Sequence, residues 1–106
     1  MSGSGGFGGY EPPPAAAFNC LSSSITTKLS SVDLALLPNI VIGDILEVEV
    51  NDRRTLVVLE GNGVLLGSVI HTNSGDVIAC IDAGNSYEAE VVQLTPLTCT
   101  VTIRHT

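Results

Sequence analysis

The stretch from Gly63 to Gln93, GVLLGSVIHTNSGDVIACIDAGNSYEAEVVQ, constrains the fold of this chain more than any other. It reads as strand, short helix, strand, and the helix carries start and stop signals. Asn73-Ser74-Gly75-Asp76 is close to a capping box. The Asn73 side chain is placed to accept from orphan amides, and Asp76 to reach back while favouring the positive end of the helix dipole. Val77, Ile78 and Ile81 then fall on one face and predict a buried stripe. Gly84 followed by Asn85 ends the helix as a left-handed cap. The expectation is a helix over about residues 74–83 that plugs one end of the fold.

Around this unit the chain alternates with the period of a half-buried sheet. In Ile45 to Val50, Leu46, Val48 and Val50 face one way and Glu47 and Glu49 the other. Asn51-Asp52-Arg53-Arg54 is a turn, Thr55 to Leu59 a strand, and Glu60 to Gly63 a second turn into Val64 to Ile70. After the helix, Tyr87, Ala89 and Val91 alternate with Glu88 and Glu90. Pro96 breaks the chain before a last strand in which Cys99, Val101 and Ile103 point inward. Phe18 to Leu29 reads as a first strand. Ser31 to Leu37 reads as two helical turns with a Ser31 cap, ended by Pro38. Six short strands with one-sided burial predict a mainly β fold: a small curved sheet or partly open, SH3-like barrel with one short helix.

Residues 1–17, MSGSGGFGGYEPPPAAA, differ in kind. Gly-rich sequence followed by three prolines cannot offset its ordering entropy by burial, so it reads as a disordered tail before a single domain over 18–106. A sharper reading makes it a docking arm in which Phe7 and Tyr10 anchor in a partner's groove. At 106 residues the chain buries about 60–65% of its unfolded surface, enough for one modest core. With no Trp and few other aromatics, that core must be Val, Ile and Leu.

Eleven acidic residues against Lys28, Arg53, Arg54 and Arg104 give a formal charge of -7. Broad duplex-DNA or RNA binding draws on Lys and Arg and is disfavoured, as is an anionic membrane. An acidic field suits a basic partner surface. Cys20, Cys80 and Cys99 form no metal-type cluster with His71 and His105, and their odd number argues against a secreted disulfide framework. No signal-peptide pattern opens the chain, and no apolar run reaches the roughly 20 residues of a membrane helix. The expectation is a cytoplasmic protein with reduced thiols.

Candidate chemistry is sparse. Gly61, Gly63 and Gly67 miss the spacing of a dinucleotide loop and lack the Lys-Ser/Thr of a P-loop, so a hairpin turn and a kinked strand are predicted instead. Cys80 and Cys99 read as small core hydrophobes, and His71 as a loop residue or an acceptor within its turn. Glu47/Glu49 and Glu88/Glu90 sit on outward faces; were those faces adjacent, the four would make a weak cation site. No catalytic residue, cofactor or metal is expected, and the chain does not read as an enzyme.

From Gly43 to Val92 the order of features resembles the HIRAN family, small β-barrel modules attached to some DNA-remodelling and repair enzymes and also found alone in bacteria. The matching features are Leu56 to Leu59, the turn at Gly61-Asn62-Gly63, Gly67, the helix with Ile78 and Ile81 ending at Gly84, and the strand from Tyr87. The resemblance implies a curved barrel and recognition of single-stranded DNA 3′ ends. At the family's N-P-Y-D loop this chain has Asn51-Asp52-Arg53-Arg54, with Asp52 in the place of the acid and without the Pro and Tyr.

Two functions are therefore expected. The first is a non-catalytic interaction module, an acidic accessory subunit of a larger protein assembly, docking through Phe7, Tyr10, Glu47 and Glu49. The alternative is a HIRAN-like binder of single-stranded DNA 3′ ends in a DNA-processing or defence system, using Asp52, Arg53, Arg54 and Tyr87.

Overall fold

Where inward and outward residues alternate, the chain forms strands, and six of them build one sheet. A computed structural model describes residues 17–106. The strands are β1 (Ile25–Lys28), β2 (Ile45–Val50), β3 (Leu56–Leu59), β4 (Leu65–Ser68), β5 (Tyr87–Leu94) and β6 (Cys99–His105), with helix α1 (Ser74–Asp82) between β4 and β5. The strand order is β1-β6-β5-β2-β3-β4, antiparallel throughout. The sheet curls into a half-barrel. Its two outer strands meet at one point, where Ser30 and Ser68 exchange N–H···O bonds of 2.8 and 2.9 Å.

The core is aliphatic, as the scarcity of aromatics requires. Leu46 and Val48 from β2, Leu56 and Val58 from β3, Ala89 and Val91 from β5, and Cys99, Val101 and Ile103 from β6 all point into it. α1 contributes Val77 and Cys80, and touches β3. The predicted stripe is thus rotated: Ile78 and Ile81 are only partly buried, and Cys80 takes the inward position.

Asn73 does not cap through its side-chain oxygen. Its Nδ2 donates to Asp76 Oδ2 at 2.8 Å, while its backbone carbonyl accepts from Asp76 and Val77 N–H. The C-terminus closes as expected. Asn85 N–H donates to the Cys80 carbonyl and Gly84 N–H to that of Ile81, with Gly84 at φ +103°, which is a Schellman motif.

Two expectations in the N-terminal third are corrected. Phe18 to Ser24 is not strand; Asn19 folds it into a turn by accepting from Leu21 and Ser22 N–H through Oδ1. Nor does Ser31 cap a helix over 31–37. The Ser30–Ser68 pairing and an Asp33 N–H bond to the Leu66 carbonyl at 2.7 Å hold the chain along β4, with Ser31 at φ 52°. Only a 3-10 turn, Leu37–Asn39, follows, and Pro38 lies inside it rather than after it. A fixed φ suits an opening turn.

The expectation of reduced thiols is also corrected: Cys20 and Cys80 form a disulfide across 60 residues, leaving Cys99 free and buried. Odd cysteine number does not forbid one bond. Burial raises the Cys99 thiol pKa above its ordinary value, so it behaves as a core hydrophobe.

Gly67 permits the barrel's closing contact. A Cβ built there would sit 3.0 Å from Leu29 Cβ and 3.1 Å from the Ser30 carbonyl oxygen. Gly67→Ala is expected to cost about 1–3 kcal/mol in urea unfolding by overpacking this seam. An unchanged midpoint would show that the seam yields freely.

Candidate functional site

A cleft opens where the β2–β3 turn, the end of β4 and the start of α1 converge. Arg54, Thr55, Leu56, Val69, Ile70, His71, Ser74 and Ile78 surround about 190 Å³. Buried Leu56 and Val69 form its apolar part, and Arg54, His71 and Ser74 supply its polar atoms. Small-molecule sites commonly enclose about 300–1,000 Å³, so this cleft fits one small group rather than a whole cofactor.

Each polar residue is fixed by local backbone chemistry. Asn51 Oδ1 accepts from Arg53 and Thr55 N–H, and its carbonyl from Arg54 N–H, which winds the turn tightly and leaves Arg54 at φ 62°. A left-handed arginine is uncommon. The Arg54 guanidinium reaches α1 and holds Asp82 bidentately, Nη1 to Oδ1 at 3.1 Å and Nη2 to Oδ2 at 2.5 Å. Ser74 Oγ accepts from His71 N–H at 3.0 Å and donates to the Val69 carbonyl at 3.1 Å. His71 Nδ1 accepts from Asn73 N–H, so the imidazole is an acceptor within its turn and presents Nε2 as its remaining polar atom.

The Arg54 hydrogen bond holds the Asp82 carboxyl below its ordinary pKa. A group lowered on folding stabilises above its unfolded pKa, and that contribution fades as pH falls through the lower folded value. The expected NMR titration of Asp82 therefore runs below the usual carboxylate midpoint, and Arg54→Met returns it toward the ordinary value. Coincident curves for the two proteins would show that the pair does not persist in solution.

The structure separates the residues the sequence grouped as a nucleic-acid site. Asp52 and Arg53 are exposed at the turn, and Arg54 lies on the cleft with its charge matched by Asp82. Tyr87 is elsewhere, and its place among the candidate nucleic-acid residues is corrected by its burial. It is 3% exposed, donates its hydroxyl to the Cys20 carbonyl at 2.6 Å, and meets the His105 ring edge-on. Burial raises its pKa. Phe7 and Tyr10 lie outside the described residues. Sequence reasoning missed Ser74 and Asp82 as site residues, because only the folded chain brings the β2–β3 turn against α1.

The carboxylates define a second surface. β2 pairs with β5 so that Glu47 lies opposite Glu88, and the two outward faces are adjacent. Arg104 from β6 occupies that face: its guanidinium bonds Glu88 at 2.9–3.0 Å and also Glu90. A cation is already in place there, and it is an arginine. Among the described residues no group of three or more His, Cys, Asp or Glu is arranged to hold a metal. Glu47 and Glu49 remain exposed on the same face as Ile45, itself 52% exposed. Gly43 N–H bonds the Val91 carbonyl and Val91 N–H the Asp44 carbonyl, so exposed Val41, Ile42 and Val92 gather at this corner of the sheet.

No protein-family model matches the chain, and no curated protein matches it. The half-barrel is similar to a crystal structure of a protein from Lactobacillus plantarum solved by a structural genomics consortium. That likeness has a TM-score of 0.66 at 14% identity, over 78% of this chain and 95% of the other. It shows the fold alone. Among the described residues, no helix is long and apolar enough to cross a membrane.

Proposed function

We propose that this chain is a non-catalytic interaction module, an acidic accessory subunit that docks a larger protein through the β2–β5 corner of its sheet. The supporting observation is the arrangement there: exposed Val41, Ile42, Ile45 and Val92 beside the carboxylates of Glu47 and Glu49, which form no salt bridge among the described residues. Clustered exposed apolar side chains mark interaction surfaces, and an acidic border selects a partner whose apolar contact is rimmed by Lys or Arg. The protein is placed in the cytoplasm on this reading, where its disulfide would be of the reversible kind.

The test is an NMR titration with a lysine-rich amphipathic peptide. Shift changes are expected at Val41, Ile42, Ile45, Glu47, Glu49 and Val92. Glu47→Lys with Glu49→Lys should weaken binding by at least about tenfold, as expected for like charges brought together at an interface. Changes confined to other faces would overturn the assignment.

A second reading draws on the cleft. Arg54, His71 and Ser74 converge beside the turn at which the HIRAN resemblance puts its recognition loop. On that reading the cleft takes the terminal sugar of a single-stranded DNA 3′ end. Fluorescence anisotropy with labelled strands decides it: binding should require a free 3′ hydroxyl, and Arg53→Ala with Arg54→Ala should weaken it and flatten its salt dependence. Equal affinity for blocked and free ends would remove this reading and leave the first untouched.

A further inference from the structure

The segment Phe18–Ser23 lies against the fold as a strap with few fastenings. Its hydrogen bonds are mainly its own. Asn19 Oδ1 accepts from Leu21 and Ser22 N–H, Asn19 N–H donates to Ser23 Oγ, and Ser23 N–H donates to the Asn19 carbonyl. Among the described residues its hydrogen bond to the rest of the molecule is the one from the Tyr87 hydroxyl to the Cys20 carbonyl. Its covalent tie is Cys20–Cys80. Phe18 and Cys20 are half-buried against the core, whereas Leu21 is 71% exposed. The sheet's hydrogen-bond ladder includes none of the strap. It joins six strands that all begin after the strap, and the sheet's buried residues come from those strands, α1 and the connections between them.

We propose that Cys20–Cys80 is a redox clasp: reduction releases the strap Phe18–Ser23 from α1 and β5 while the half-barrel stays folded. A structural staple would tie two elements that the core needs together. This bond instead ties a self-contained turn to a helix already anchored by buried Val77 and tied to the β2–β3 turn by the Arg54–Asp82 pair. In a reducing cytosol, disulfides that do form are usually transient and sensing.

The chemistry is thiol–disulfide exchange with a dithiol reductant. Its thiolate attacks the sulfur of Cys20, the less buried partner, and the S–S electron pair leaves on Cys80, which takes a proton from solvent. The second thiol of the reductant then displaces Cys20 and closes the reductant's own disulfide. Two electrons pass to the protein, and two protein thiols result. Release bares the Cys80 thiol and frees the Tyr87 hydroxyl. Because α1 also carries Ile78 and Asp82, the strap is fastened to the helix that borders the cleft.

The experiment is NMR of the full chain, oxidised and then in dithiothreitol. Cys20→Ala with Cys80→Ala serves as a reductant-free equivalent. On reduction, the amide signals of residues 18–23 should move to coil positions and those of β2, β3, β5 and β6 should hold theirs, with reoxidation restoring the first set. Iodoacetamide should then label Cys20 and spare buried Cys99. Strap signals unchanged in both the reduced chain and the double variant would show that packing alone holds it, and would overturn the clasp. Loss of the sheet signals, with Cys99 labelled, would overturn it the other way by making the bond a staple of the whole fold. Neither result bears on which partner the sheet corner binds.

Discussion

Replacing Cys20 and Cys80 together by alanine is expected to lower the free energy of unfolding by about 4 kcal/mol, the value the chain-entropy model gives for a loop of some 60 residues. The loss arises in the unfolded ensemble, which the bond otherwise confines. Alanine is the right substitute at Cys80, because its site is 5% exposed and a serine hydroxyl there would add a desolvation cost of its own. For a domain of this size each kcal/mol moves the melting temperature by about 4–8 °C, so the change is large. It should still leave a folded protein, since small domains hold about 5–15 kcal/mol. Denaturant unfolding of the oxidised wild type, the reduced wild type and the double variant makes the comparison. The last two should coincide. A thiol count on the denatured oxidised chain provides the check: Cys99 alone should react. Three reactive thiols, or a stability loss below about 1 kcal/mol, would show that the bond does not constrain the chain.

The same bond marks where the sequence stops being informative. Alternation gave the inward faces of β2, β5 and β6 residue by residue, because a sheet with one wet side imposes a period of two on whatever sequence occupies it. Gly84 and Asn85 were legible as a helix end for an equally local reason. The strap was not. Phe18 to Ser23 is compatible with a strand running on into Ile25–Lys28, and only the Asn19 turn and the pairing of Cys20 with Cys80, 60 residues away, decide otherwise. The helix face is turned from the expected stripe: Cys80, legible as a core hydrophobe, shares the inward position with Val77, and Ile78 and Ile81 stay only partly buried. Ser31 to Leu37 followed the same logic. Its helical propensity is weaker than the two Ser30–Ser68 hydrogen bonds that run the chain along β4.

The candidate site was legible only in part. Glu47 and Glu49 were read correctly as outward, since that needs no tertiary information. The alternation of Tyr87, Ala89 and Val91 already points Tyr87 inward, away from the arginines, and in the fold its hydroxyl donates to the Cys20 carbonyl. The Arg54–Asp82 pair joins a hairpin tip to a helix C-terminus, and no spacing rule reaches that far. Contacts within one element leave a period in the sequence; contacts between elements leave none.

Leu56→Ala is expected to cost about 2–5 kcal/mol, the range for truncating a fully buried leucine. Leu56 is 0% exposed, lies opposite Val50 in the β2–β3 pairing, and also borders the cleft below Arg54. Its backbone carbonyl accepts from Val69 N–H, a bond the substitution keeps, so the change reports the side chain alone. Because part of the space it leaves joins an open cleft, water can enter, and the cost should fall in the lower half of that range. Val57 is the control. It is 4% exposed but lies opposite Glu49 on the outward register, outside the core cluster, so Val57→Ala should cost less than Leu56→Ala in the same urea titration. The order of the two losses carries the test. If Val57→Ala proves the more damaging, β3 faces the other way, and the cleft, the Arg54 turn above it and the acidic corner on the opposite face must all be reassigned together.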